Sequence, residues 1–227
     1  MMYLTHLLLA DALLPAIEET WGVTLSRKRF RSGSVKPDAS TLFVRHPHFW
    51  RHSRKFAVRK IARLARRRLT PGAKNGRFSE DLGIALHYVA DFFTSAHNVR
   101  PNRLKAHLES EATLHEAFAR LVSADSARTS MRLILGTGAR RLPGTEGGEE
   151  DPRERIGRIL KELHGRFKPA LDDPLSDIRE ILVACLTVTA LVMDAATAQQ
   201  RGVRASHAAT ARAEGELATV SRETRRR

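Results

Sequence analysis

A chain of 227 residues is long enough for one sizeable core, and its single cysteine, Cys185, excludes an intrachain disulfide and a thiolate metal cluster. A net charge of +14 and a pI near 11.0 favour polyanionic partners such as nucleic acid, anionic lipid headgroups or phosphorylated small molecules; a plain solvated basic surface has the same signature. Stretches rich in Ala, Leu, Arg and Glu dominate and alternating β-branched runs are scarce, which sets aside β architectures and predicts an all-α single domain.

In chain order, apolar Leu4, Leu8, Leu9, Leu13 and Leu14 predict a first helix over about residues 3 to 20. Its apolar run lacks a basic flank and reads as a helix of the mature protein rather than a secretory signal. The stretch RFRSGSVKPDASTLFVRHPHFW, rich in Gly, Pro, Ser and His, reads as one long connection. SRKFAVRKIARLARRRL then predicts a basic amphipathic helix with Phe56, Ile61, Leu64, Ala65 and Leu69 inward, terminated by Pro71-Gly72. Its Arg59, Lys60, Arg63, Arg66 and Arg67 make residues 54–68 a candidate contact for an anionic membrane surface or another polyanion.

Ser79 is expected to cap the next helix, with Glu80 and Asp81 in its first turn. A further helix is expected from Leu104 to Val122, a flexible loop over residues 142–152, and two more helices around 153–166 and 176–199. The run Ile181–Met193, which contains Cys185, is short for a bilayer span and flanked by Glu180 and Asp194, so it reads as a core helix. Residues 1–200 form the expected domain and 201–227 a basic, flexible tail. With no signal or transmembrane segment recognised, the expected location is cytoplasmic.

Chemistry concentrates in LHYVADFFTSAH, residues 86–97, where His87, Asp91 and His97 interrupt an apolar segment. His87 and Asp91 are four apart and share a helix face, and His97 reaches a second point if the helix ends near Thr94-Ser95. A carboxylate in an apolar helix is costly unless a cation compensates it. The candidate ligands are His6, Asp38, His52, His87, Asp91, His97, His107 and Glu111, with His46, His48 and His115 nearby. Imidazole and carboxylate without thiolate is the donor set of a catalytic or multinuclear zinc site.

On these residues the chain resembles the zinc-dependent phospholipase C family and, more distantly, the single-strand-specific zinc nucleases that share its fold. The resemblance is carried by THLLLAD, by the PD of GSVKPDAS with a His fourteen residues later in RHS, by LGIALHYVADFFTSAH and by HLESE, and it spans roughly residues 4 to 115. It implies a multi-helix bundle of that type holding two to three Zn2+. Asp38, His52, His87 and Asp91 would surround one ion, His97, His107 and Glu111 a second, and His6 with Asp91 a third, Asp91 bridging it to the first. His115 is the alternative to His107, and the Met1 amine a further donor at the third position.

The implied activity is hydrolysis of a phosphodiester, phospholipid or nucleic acid, by a water whose pKa the metals lower. Asp38 would be the catalytic carboxylate that orients or deprotonates that water. A zinc-dependent single-strand nuclease, with Phe49, Trp50, Tyr88 and Phe92 to stack on bases, is one alternative reading. A non-catalytic, zinc-stabilised helical protein that binds polyanions through the basic helix is the other.

Overall fold

The computed structural model describes residues 1–70, 72–99, 104–122 and 150–198. The elements are α1 (Tyr3–Trp21), α2 (Arg27–Val35), α3 (Leu42–Arg45), α4 (Trp50–Ala65), α5 (Gly76–Phe92), α6 (Ser95–Asn98), α7 (Leu104–Val122), α8 (Pro152–Arg166) and α9 (Pro174–Ala198). Among the described residues there is no strand, and the all-α fold expected from composition is what forms. Pro71, most of the loop expected over 142–152 and the tail from 201 lie outside the described residues.

α5 is the axis of the bundle. From Leu82 onward it has no solvent face: Leu82, Ala85, Tyr88, Val89 and Phe92 are all fully buried. α1 packs Leu9, Leu13 and Ile17 into the same core and stops at Gly22, whose left-handed φ of 62° lets its N–H bond the Glu18 carbonyl. α4 supplies Ala57, Ile61, Leu64 and Ala65, close to the inward face expected from the sequence.

Two local expectations are corrected. The first half of the stretch read as a long connection is helix α2, whose N-terminal Ser26 side chain accepts a bond from the Arg29 N–H. Its Gly33 serves close packing rather than a turn. A Cβ there would lie 2.1 Å from the Glu80 carbonyl oxygen, and one on Gly83 would lie 2.3 Å from that of Phe30. α2 and α5 therefore meet backbone to backbone.

Nor does Ser79 cap α5, which begins a turn earlier. Ser79 Oγ donates to the Asn75 carbonyl and accepts the Ser26 N–H, both at 2.9 Å, tying α5 to the start of α2. Asn75 occupies the cap position at φ 43°. Its side-chain amide donates to the carbonyls of Thr24, Thr70 and Ala73, which ties the connection before α5 to the one before α2.

α9 is longer than the apolar run that announced it. Its 25 residues satisfy the length and apolarity of a bilayer span, yet 67% of its most apolar window is buried in the bundle, with Cys185, Val188, Val192 and Met193 fully covered. It packs as a core helix, and burial pushes the Cys185 thiol pKa up, away from thiolate chemistry.

Candidate metal centre

Asp91 is the hub. It is fully buried near the end of α5, and its two oxygens face different partners. Oδ2 lies 3.0 Å from His48 Nδ1 and 3.1 Å from His87 Nε2. Oδ1 lies 3.3 Å from His6 Nε2 and 3.7 Å from His97 Nε2. Three overlapping sets of donors come within 4.8 Å of one another: His6, His87 and Asp91; Asp38, His48 and His87; and His48, Asp91 and His97.

Each donor is fixed by its element. His87 Nδ1 is 2.8 Å from the Ser34 carbonyl oxygen, which can only accept, so Nδ1 carries the proton and Nε2 turns its lone pair toward Asp38 and Asp91. The close α2–α5 contact at Gly33 and Gly83 brings Ser34 within that reach. His6, on the buried face of α1, stacks on His87 with ring centroids 3.8 Å apart. α5 stops at Phe92 and α6 opens at Ser95, a break that turns His97 back toward the cluster, as the sequence predicted.

The Met1 amino nitrogen lies among these groups, 3.0 Å from Asp91 Oδ1, 2.9 Å from Glu111 Oε1 and 2.5 Å from His97 Nε2. Burial acts to lower its pKa, but the carboxylates of Asp91 and Glu111 raise it above the ordinary value. Burial acts to raise the Asp91 pKa, yet the Met1 ammonium, His87, His6 and His97 hold it well below the usual carboxylate range. His6 is pushed down to about 3 by burial and then by His87, and His97 well down by burial and then by the ammonium, so both imidazoles are neutral lone-pair donors at pH 7. Burial raises the Asp38 carboxyl, the one acid of the group with a quarter of its side chain exposed.

Of the eight expected ligands, His6, Asp38, His87, Asp91 and His97 converge. Glu111 on α7 joins them, 3.6 Å from His97 Nε2, and His107 lies 3.5 Å from Glu111 with its ring 5.7 Å from that of His97. His115, the alternative, turns to α1 and bonds Thr5 Oγ1 at 3.0 Å. His52 is not among the converging donors: it is exposed on the first turn of α4, and His48 stands beside Asp38, His87 and Asp91 in its stead. The sequence reading set His48 near the candidate ligands and not among them. The signal available was the HPH pattern ahead of the helix start, with Pro47 forcing an extended approach.

The residues fit a cation. His6 Nε2, His87 Nε2, Asp91 Oδ2 and His97 Nδ1 are buried and make no hydrogen bond among the described residues. Buried polar atoms are seldom left so, and here the first three crowd one volume, with the His87 Nε2 and Asp91 Oδ2 lone pairs 3.1 Å apart. Nitrogen and oxygen donors without sulfur suit zinc in an open, catalytic type of site.

The architecture and the cluster define a helical protein built around a His/Asp/Glu donor set. A sequence model of the zinc-dependent phospholipase C family matches residues 5–168, and the chain belongs to that family. No significant match was found among curated proteins or among solved structures.

The basic helix is less free than its sequence suggests. Lys60 and Arg67 both pair with Asp81, at 2.7 and 2.6 Å, and Arg66 pairs with Asp151 at 2.6 Å. Three of the five cations expected to face a polyanion are thus engaged within the bundle.

Proposed function

We propose that the protein is a zinc-dependent phosphodiester hydrolase acting on a phospholipid-type substrate. The observation that carries the reading is the convergence of buried, unbonded imidazole and carboxylate atoms on Asp91, in a chain of this family. His6, Asp38, His48, His87, Asp91 and His97, with His107 and Glu111 from α7, would hold two to three ions, with His48 taking the place assigned to His52. Zinc, when bound, supplies Lewis acidity toward a phosphoryl oxygen and acidifies water.

The chain's own groups do the rest. Asp91 stays ionised and ties the two halves of the donor set together. Asp38 is partly exposed, with Oδ1 3.4 Å from His48 Nδ1 and 3.6 Å from His87 Nε2, the position of a carboxylate that can orient a water and accept its proton. The Ser34 carbonyl keeps His87 in one tautomer throughout. The nuclease alternative is weakened by burial: Tyr88 and Phe92 are fully covered, which leaves only Phe49 and Trp50 of the four aromatics for stacking on bases.

Metal analysis of protein purified without an affinity tag, run beside hydrolysis of a generic chromogenic phosphodiester, tests the reading. The expected result is about two to three zinc-class ions per chain together with turnover. Asp91→Asn should remove metal and activity together, whereas Asp38→Asn should spare more metal than activity. Protein that stays metal-free under zinc-replete conditions would sink the assignment.

A further inference from the structure

Four of the basic side chains left over after internal pairing share one cleft. Arg54 and Lys55 on α4 and Arg153 and Lys161 on α8 line a cleft of about 420 Å³. That volume falls in the range of small-molecule sites, roughly 300–1,000 Å³. Among the described residues none of the four cations forms an ion pair, unlike Lys60, Arg66 and Arg67 further along the same basic segment. The cleft's two carboxylates do not offset them: Asp151 is committed to Arg66 and to the Arg153 N–H at 2.8 Å, which leaves only exposed Glu154.

One wall of the cleft is Trp50. The Trp50 indole lies parallel to His164 with centroids 4.2 Å apart, and the Arg54 guanidinium carbon sits 5.8 Å from the indole centroid. The cleft shares no residue with the metal centre. Trp50 packs edge-on against Phe92, the neighbour of Asp91.

We propose that this cleft is a second binding site, independent of the metal centre, for a phosphomonoester group. Arg54, Lys55, Arg153 and Lys161 take the dianionic phosphate, and Trp50 takes the organic portion. Four cationic N–H donors against one uncommitted carboxylate, Glu154, are the chemistry that recognises phosphate, with guanidinium suited to paired bonds. The phosphate can belong to a soluble ester or to an anionic lipid headgroup.

The test uses the full chain carrying Trp21→Phe, which leaves Trp50 as the sole indole. Glycerol phosphate is titrated while tryptophan fluorescence is followed, and in a parallel arm the protein is mixed with phosphatidylcholine vesicles containing or lacking phosphatidic acid. The expected result is a saturable change with Kd below about 1 mM. It should weaken by at least about tenfold in Arg54→Glu/Lys161→Glu and change little in Arg59→Glu, an exposed cation on the same helix, a contrast of local contact with general charge. Should the double reversal lower the unfolding temperature, Lys55→Gln/Lys161→Gln reads the same contrast with a smaller loss. A response to glycerol phosphate identifies a soluble ester as a sufficient ligand, and a response confined to phosphatidic acid vesicles identifies a lipid headgroup. No saturable response to either probe, or equal weakening by Arg59→Glu and the cleft variants, would overturn the proposal.

Discussion

His48 and His52 stand four positions apart and end in different surroundings. α4 begins at Trp50, so position 52 falls on the solvent face with Arg51, Lys55 and Arg59, while Ser53, Ala57 and Ile61 turn inward. His48 precedes the helix and is carried inward by a loop that other elements pin: Ser53 Oγ donates to the Pro47 carbonyl, and Tyr88 Oη donates to that of His46. His48→Ala should therefore weaken metal binding by at least about tenfold, and His52→Ala should leave it nearly unchanged. Competition titration with a chelator reads both, and equal effects would return His52 to the donor set. The pair His87 and Asp91 was legible in the sequence because helical spacing alone aligns them. His48 was not, because its direction depends on contacts with residues about forty positions away.

At the scale of elements, the sequence announced α1, α4, α5, α7, α8 and α9, each by an apolar period long enough to resolve. α2 was missed: Gly33 and Ser34 resemble turn residues when only their neighbours are read. Their role appears once α5 is in place, where the absence of a Cβ admits the opposing backbone. Gly83→Ala should destabilise the fold by about 1–3 kcal/mol, the usual cost of overpacking a close contact. A lower midpoint in urea at unchanged slope would show it, whereas wild-type stability would mean that the helices can part freely. Because Ser34 orients His87, the same variant should lose metal affinity although it alters no donor.

Across the whole molecule, α9 is tied to the metal-bearing end of α5 through one acid. Asp177, 3% exposed, accepts the Ser95 N–H at 2.7 Å and the Ser95 hydroxyl at 2.6 Å, and Ser95 Oγ in turn accepts the Ala170 N–H at 2.8 Å. Burial outweighs these bonds and raises the Asp177 pKa from 3.8 to about 6. Between those values the folded state holds the proton more tightly than the unfolded chain, so this group's contribution is fullest below pH 4 and declines as pH rises through 6. Asp177→Asn should flatten that decline, a difference on the order of 3 kcal/mol between the two profiles. Denaturant unfolding of both proteins at several pH values from 4 to 7 measures it, and parallel profiles would refute the assignment. This link was not legible in the sequence, since KPALDDP marks a connection without showing where the acid just beyond it points.

The meeting of α2 with α5 at two glycines has one further consequence. Where side chains separate two helices, each substitution in the packing layer resets their distance by some fraction of an ångström. Here main chain touches main chain, so the spacing is held by peptide geometry, which is the same for every sequence. The Ser34 carbonyl acts as a fixed gauge against which His87 is set. The surrounding core is free to drift in composition, Leu for Met or Ile for Val, without moving that mark.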